Sequence, residues 1–123
     1  MISFTNFELA DGIPIYLQII RHIKQGIASG IILDGDELPS RRVLSALLGV
    51  NPNTIQKTYK LLEDEGLILS HSGAKSYMNL TEESIRNIRT ELLENDARGA
   101  VNSLKQLGIT MEEAIALIVK YWN

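Results

Sequence analysis

Apolar and polar positions recur with a helical period through most of the chain. Four isoleucines stand at every fourth position: Ile15, Ile19, Ile23 and Ile27. Pro14 precedes them, where its missing N–H is harmless to a helix, and Gly30 follows as a common terminator. The pattern predicts a first amphipathic helix that faces a core. Residues 1–12 alternate weakly and predict an extended arm.

Two shorter helical patterns follow, and both have well-specified ends. Ser40 can cap the first of them, and Gly49 can end it in the left-handed conformation of a tight turn. Asn51 can cap the second, with Pro52 at its first position. A 3.6-residue period predicts which side chains of this third helix face inward: Ile55, Thr58, Tyr59 and Leu62.

After Gly66 the pattern becomes that of short strands. The segment LILSHSGAKSYMNL, residues 67–80, has two apolar runs separated by a Ser/Gly turn, which predicts a two-stranded hairpin. Helix, helix, tight turn, helix and hairpin in this order predict a winged helix-turn-helix over residues 1–80. This arrangement delivers its third helix to the major groove of DNA.

Residues 81–123 lack a strand pattern and predict two further helices, the second opened by a capping box of Thr110 and Glu113. Their apolar side chains exceed what a two-helix hairpin can cover. We therefore expect a helical dimerisation domain with these contact residues: Ile85, Ile88, Leu92, Val101, Leu104, Leu107, Ile115, Ile118 and Trp122. The alternative is that these residues only cover the preceding domain. The predicted fold class is mainly α with a small β-wing, a winged helix-turn-helix followed by two C-terminal helices.

Charge distinguishes the middle of the chain from its ends. The 123 residues carry a net charge of −3, which is unusual for a protein that binds nucleic acid. Divided into residues 1–39, 40–80 and 81–123, the net charges are −3, +2 and −2. Between residues 40 and 60 there is no acid and there are four bases: Arg41, Arg42, Lys57 and Lys60. The local field is therefore positive.

The outward face of the third predicted helix carries amides and bases only. Its members are Asn53, Gln56, Lys57 and Lys60. A helix N-terminus favours anions, and amide side chains can pair with adenine edges. An ordinary solvated face usually mixes acids with bases, so this one favours contact with nucleic acid.

The sequence predicts neither an enzyme nor a cofactor or metal site. The chain has no cysteine and two scattered histidines, and it has no nucleophile–base pair or phosphate loop. We expect His22, in the first helix, to be a surface or structural residue. Without a leader segment or an apolar run of membrane length, we expect a cytoplasmic protein with no membrane partner.

Residues 14–80 resemble GntR-family transcriptional regulators. The first helix, the GDELPSRR entry to the second, the Gly-Val turn and the NPNT start of the third occur together in family order. A short tail in place of a large effector domain resembles the YtrA subfamily in particular. The resemblance implies sequence-specific repression in bacteria by a homodimer bound to a palindromic double-stranded DNA operator.

The resemblance also implies roles for single residues. Ser40 matches the family's cap of the second helix, and Arg42 matches the arginine that holds the DNA backbone or a groove edge. Five residues match the start and outward side of the recognition helix: Asn51, Asn53, Thr54, Gln56 and Lys57. Arg41 and Lys60 join these candidates from the positive segment. An alternative for Arg42 is a salt bridge to a nearby acid, Glu63 or Glu65.

The wing departs from the family pattern Arg-x-Gly-x-Gly. His71 stands where the family has Arg, and Lys75 stands where it has the second Gly, while Gly73 and Ser76 are in place. A lysine can reach a phosphate as a point charge, but losing a glycine can change the turn. Gly73 and Lys75 are the candidate DNA-binding residues of the wing.

A winged-helix protein-interaction or RNA-binding module is the alternative function. RNA recognition favours aromatic rings on an exposed surface, whereas Tyr59 falls on the inward face. Two short C-terminal helices leave little room for the cavity of roughly 300 to 1,000 Å³ that small ligands need. The sequence therefore does not identify a small-molecule effector, and a pocket at a dimer interface is the alternative site for one.

Overall fold

The computed structural model describes residues 1–71 and 75–123. Their helices and strands are, in chain order, α1 (Ile15–Ala28), β1 (Glu37–Leu38), α2 (Arg41–Leu48), α3 (Pro52–Asp64), β2 (Ile68–Ser70), β3 (Ser76–Met78), α4 (Glu82–Gln106) and α5 (Met111–Tyr121). The chain divides into two compact units, Met1–Arg89 and Thr90–Asn123. The predicted fold class, a winged helix-turn-helix followed by two helices, is confirmed.

Local capping explains where α2 and α3 begin and end. Ser40 Oγ accepts a hydrogen bond of 3.1 Å from the Val43 N–H, and Asn51 Oδ1 accepts one of 2.8 Å from the Asn53 N–H. Gly49 ends α2 with a φ of 65°, a conformation that is costly for residues with a Cβ. The turn between the helices is therefore specified by the residues within it.

The sheet has one strand more than the sequence pattern indicated. Its order is β1-β3-β2 with both pairings antiparallel, and Tyr77 of β3 lies between Glu37 of β1 and Leu69 of β2. Strands β2 and β3 are the two strands of the predicted hairpin, and they pair antiparallel. Strand β1 has two residues, too few to show a period, and only its pairing with β3 makes it a strand.

The first unit has a continuous apolar core behind α3. Its members with at most 2% exposure are Ile19, Ile23, Ile27, Leu38, Leu44, Ile55, Tyr59, Leu62, Ile68 and Met78. The N-terminal arm adds Ile2 and Phe4, which are also buried, and the Ile2 N–H donates to the Glu37 carbonyl at 2.8 Å. Each buried aliphatic side chain stabilises the fold by roughly 1.5 to 3 kcal/mol. The core therefore fixes the position of α3 within the first unit.

His22 has a structural position, as expected. Its ring lies against Phe4 and Phe7, with centroid separations of 4.7 and 5.0 Å. Its Nε2 is 2.9 Å from the Ser3 carbonyl oxygen. The histidine thus joins the N-terminal arm to α1.

The first compact unit extends past residue 80 into α4. Ile88 is only 6% exposed, and Arg89 Nη1 donates to the Ala28 carbonyl at 3.0 Å. The Leu80 N–H donates to Asp34 Oδ1 at 2.7 Å, just before the helix begins. The compact units therefore divide nine residues later than the domain boundary predicted at residues 80 and 81, because the start of α4 packs on the first unit.

The second unit contains the end of α4 and all of α5. The predicted capping box is present, with Thr110 Oγ1 accepting from the Glu113 N–H and Glu113 Oε1 accepting from the Thr110 N–H. No residue of α5 is buried, although most of its side chains are apolar. This helix therefore leaves a large apolar surface uncovered.

Candidate nucleic-acid interface

Helix α3 separates its buried and exposed side chains as its period predicted. The inward set of Ile55, Thr58, Tyr59 and Leu62 is fully buried. The outward set is exposed: Asn53, Gln56, Lys57 and Lys60. The helix therefore presents two amides and two ammonium groups to solvent.

The N-terminal part of this face lies beside α2. The Ser45 hydroxyl, at the middle of α2, donates to the Val50 carbonyl at 2.7 Å and holds the turn against the helix. An open depression of about 480 Å³ lies between the two helices, lined by Arg41, Arg42, Ser45, Ala46, Pro52, Asn53 and Gln56. The fold thus brings together polar side chains that the sequence had placed on separate helices.

Arg41 is engaged within the domain. Its Nη2 lies 2.8 Å from Glu63 Oε1, and its guanidinium carbon is 5.0 Å from the centroid of the Tyr59 ring. Its Nε is buried and has no hydrogen-bond partner in the described part of the chain. The charge of Arg41 is therefore matched by an acid, and the structure gives this residue a role in holding α2 to α3. Its predicted contact with DNA stays a prediction, and the ion pair with Glu63 is evidence against it.

Arg42 has the opposite environment. The salt bridge considered for it does not form, because Glu63 is paired with Arg41 and Glu65 lies 3.1 Å from Lys24 Nζ. Arg42 is exposed, and no ion pair involves it among residues 1–71 and 75–123. Its guanidinium is available to a ligand.

The two lysines of α3 also differ. Lys60 Nζ lies 2.8 Å from Asp64 Oδ1, and the hydrogen bond and charge of that carboxylate raise the pKa of Lys60. Lys57 Nζ instead lies over the ring of Tyr16, 3.9 Å from its centroid. In the described part of the chain Lys57 therefore makes no ion pair, whereas the charge of Lys60 is partly matched.

The base of the wing is tied to α3. The Ser70 hydroxyl donates to Glu63 Oε1 and lies 3.1 Å from the hydroxyl of buried Ser76. Lys75 is exposed, and its carbonyl accepts from the His71 N–H at 2.9 Å. Gly73, the other candidate residue of the wing, lies outside the described residues.

The predicted dimerisation residues fall into three groups. Ile88 is buried within the first unit, so the chain itself already covers it. Ile85, Leu92 and Leu104 are half-buried. The remaining members are 49% to 81% exposed: Val101, Leu107, Ile115, Ile118 and Trp122.

Tyr16 and Glu63 make contacts in this region that the sequence pattern does not reveal. The pattern offers Glu63 only as an alternative partner for Arg42 and places Tyr16 simply within the first helix. Both act through contacts between distant parts of the chain, which periodicity does not report. Near Tyr16 the sequence indicates only the start of a helix at Pro14, and it does not indicate a contact with α3.

Two other kinds of site are absent from the described residues. They include no cluster of three or more histidine or acidic side chains that could hold a metal ion. No helix in residues 1–71 and 75–123 has the length and apolar character needed to cross a membrane.

A capped α3 with an amide and base face, backed by α2 and flanked by a wing, defines a winged helix-turn-helix DNA-binding domain. Residues 15–77 match the family model described as bacterial regulatory proteins, gntR family. The chain therefore belongs to the GntR family of transcriptional regulators.

Two relatives from Bacillus subtilis extend the match beyond this domain. The HTH-type transcriptional repressor YtrA is 40% identical over 94 residues, which is 76% of this chain and 68% of YtrA. The HTH-type transcriptional regulator YhcF is 35% identical over 102 residues, 83% of this chain and 84% of YhcF. These similarities support the YtrA-like subfamily.

Solved structures agree. A GntR family transcriptional regulator from Listeria monocytogenes matches with a TM-score of 0.79 and 32% identity, over 91% of this chain and 98% of that one. The DNA-binding domain of AraR, in complex with operator ORE1, matches with a TM-score of 0.50 and 29% identity, over 58% of this chain and 89% of that one. Both the domain and its tail therefore have structural relatives.

Proposed function

We propose that this protein is a sequence-specific transcriptional repressor that binds a palindromic DNA operator as a homodimer. The observation that carries the proposal is the exposed, acid-free N-terminal part of the α3 face, Asn53 to Lys57, next to Arg42. Asn53 and Gln56 offer amides to base edges, while Lys57 and Arg42 offer charge to phosphates. A bacterial repressor acts where the chromosome is, so the proposal includes a cytoplasmic location.

Each residue has a role that follows from its position. Ser40 and Asn51 cap the helices. In the first turn of α3, Pro52 has no N–H and the N–H groups of Asn53 and Thr54 donate to Asn51, so the proposed contacts of α3 with DNA come from its side chains. Thr54, half-buried at the start of α3, offers a hydroxyl at the proposed groove edge. Lys60 and Lys75 extend the positive surface along α3 and into the wing.

The repressor and homodimer parts have separate support. Repression is proposed from similarity to YtrA, a protein named as a transcriptional repressor. A homodimer is proposed because α5 buries none of its apolar side chains within the chain, and Ile115, Ile118 and Trp122, which follows the helix, are 49% to 81% exposed. A second copy would cover this surface by two-fold symmetry, and two-fold symmetry of the protein requires a palindromic site.

The test is selection of bound duplexes from a random pool. We expect enrichment of a palindrome with two half-sites. Gln56→Ala should alter the preferred base at one position of each half-site, with a loss of roughly 1 to 3 kcal/mol in discrimination. Lys57→Met should instead weaken binding to every duplex and make its salt dependence shallower.

Selection from a random pool of RNA tests the alternative function, an RNA-binding module. Tyr59 is fully buried and its hydroxyl donates to the Pro39 carbonyl at 2.6 Å, so it offers no stacking surface to an RNA base. Selection of single-stranded RNA in preference to duplex DNA would overturn the proposal. So would a parent protein that enriches no duplex.

A further inference from the structure

Tyr16 of α1 contacts a side chain on the exposed side of α3. It stands in the first turn of α1, is half-buried, and holds its ring 3.9 Å from Lys57 Nζ. An ammonium within about 6 Å of a ring centroid is attracted by the negative face of the ring. The geometry is therefore that of a cation–π contact across two helices.

The contact with the Tyr16 ring distinguishes Lys57 from the neighbouring basic side chains. Arg41 and Lys60 are matched by carboxylates, which offset their charge. A tyrosine ring is neutral, so it restrains the lysine without cancelling the charge. Lys57 has no ion pair within residues 1–71 and 75–123, and the ring is its recorded partner.

We propose that Tyr16 is a positioning residue of the DNA interface, which orders the Lys57 ammonium before it meets a phosphate. The proposal rests on the proposed function. A free lysine loses much of its rotamer freedom when it binds, and a side chain that is already ordered loses less. An ammonium above a ring keeps N–H donors that point away from the ring, and these can reach phosphate oxygens.

A direct contact from the Tyr16 hydroxyl to a phosphate is the competing role. The two roles use different atoms of the same side chain. Tyr16→Phe removes the hydroxyl and keeps the ring, whereas Tyr16→Leu removes both. Positioning requires Phe to preserve affinity and Leu to lose it, while a hydroxyl contact requires both to lose it.

A double-mutant cycle measures whether Tyr16 acts through Lys57. Affinity for the selected duplex is measured at several salt concentrations for the parent, Tyr16→Phe, Tyr16→Leu, Lys57→Met and the Tyr16→Leu/Lys57→Met double variant. We expect Tyr16→Phe to bind within about twofold of the parent, and Tyr16→Leu to bind about 2- to 5-fold more weakly for each half-site. In the Lys57→Met background, Tyr16→Leu should cause no further loss.

Lys60→Met is the matched control. It also removes an ammonium from the exposed side of α3, but one that is paired with Asp64. In this background Tyr16→Leu should cause the same loss as in the parent. An equal loss in the Lys57→Met background would overturn the positioning role, and so would a Tyr16→Phe protein that binds as weakly as Tyr16→Leu.

A measurement without DNA separates this inference from the proposed function. In the free protein, ring currents from Tyr16 should move the Lys57 ε-methylene proton resonances upfield in the parent and in Tyr16→Phe, and the shift should vanish in Tyr16→Leu. A parent without that shift overturns the inference even if it binds its operator. A parent with the shift that binds no duplex overturns the proposed function, and the positioning role with it.

Discussion

The Arg41 guanidinium lies 2.8 Å from the Glu63 carboxylate, and this ion pair joins the first turn of α2 to the last turn of α3. The same carboxylate accepts from Ser70 at the base of the wing. One acid therefore connects three elements of the DNA-binding unit. The adjacent Arg42 makes no such contact in the described part of the chain and remains exposed.

Substitution of the two arginines should separate stability from binding. Arg41→Ala leaves the Glu63 charge without its partner and should lower the free energy of unfolding by about 1 to 2 kcal/mol, since the pair is only partly exposed. Arg42→Ala should leave stability within about 0.5 kcal/mol of the parent. It should weaken binding to all duplexes and reduce the salt slope by about one for each subunit. Denaturation and salt-dependent binding measure both; a change of salt slope in Arg41→Ala with normal stability would contradict the assignment.

The wing can act by charge or by shape, and Lys75 distinguishes the two. If its ammonium meets a phosphate, Lys75→Glu should weaken binding to all sequences, and the loss should shrink as salt is raised. Lys75→Gly restores the residue type usual in the family wing. If the charge matters, Lys75→Gly should bind DNA moderately more weakly than the parent in a titration. Equal or tighter binding by Lys75→Gly would mean that the wing acts through the geometry of its turn.

Gly49 should be sensitive to substitution for a backbone reason alone. Its φ is +65°, and apart from its chain neighbours no atom of the described residues lies within 4 Å of the place where a Cβ would be. Gly49→Ala should therefore cost about 1 to 2 kcal/mol in unfolding free energy through strain, and Gly49→Asn should cost less. Gly99→Ala, in the helical interior of α4 and also in open space, is the matched control and should stabilise by about 0.5 to 1 kcal/mol. A chemical denaturation series in which Gly49→Ala costs nothing would refute the strain argument.

Tyr59 should make the protein less stable at high pH. Burial raises the pKa of Tyr59 above its ordinary value of 10, and the Arg41 charge opposes this to a smaller degree. The unfolded chain therefore ionises first as pH rises past about 10, and the stability that is fully present below that pH is lost above it. Tyr59→Phe should flatten this loss, although it should cost about 1 kcal/mol at neutral pH by leaving the Pro39 carbonyl without its donor.

Unfolding free energy measured from pH 8 to pH 11 checks the expectation for Tyr59. Tyr121→Phe is the matched control, because the same group is removed from a side chain that is 72% exposed. It should leave the alkaline slope as in the parent. Parallel slopes for the parent and Tyr59→Phe would contradict the assigned cause.

Apolar side chains of α5 and of Trp122, which follows it, should decide the oligomeric state. Ile118 and Trp122 are 49% and 81% exposed, and a charge placed in a covered interface is costly. Ile118→Glu and Trp122→Glu should therefore sediment as monomers at concentrations where the parent is a dimer. Asn102→Glu adds the same charge at an exposed polar position of α4 and should remain dimeric. A monomeric parent at micromolar concentration would rule out the dimer.

Truncation gives a second measure of the dimer. A chain cut after Arg89 keeps buried Ile88 and the bond from Arg89 to the Ala28 carbonyl, so it should remain folded. It should keep weak binding to a half-site and lose roughly 10² to 10⁴ in affinity for the full operator, because the second contact is no longer intramolecular. Equal operator affinity for the cut and full chains would separate DNA binding from the tail.

Much of the helical framework is determined by the sequence through local contacts. The caps at Ser40 and Asn51, the left-handed Gly49 and the Thr110 capping box each involve residues at most four apart, so a short window contains both partners. The inward face of α3 follows from its period, since a helix turns by a constant angle per residue. The order of the helices, the two strands of the hairpin and the outward side chains of α3 could therefore be predicted from the sequence.

Apart from the local pair of Lys60 with Asp64 in α3, the tertiary structure alone decided which of the candidate basic side chains are free of ion pairs in the described part of the chain. Arg41 and Arg42 are adjacent and identical in type, and only the packing of α2 against α3 gives Glu63 to the first and leaves the second exposed. The contact of Tyr16 with Lys57 and the pairing of β1 with β3 also join segments far apart in the chain. Such contacts depend on how elements pack, and a one-dimensional pattern carries the period of each element but not the neighbours it meets.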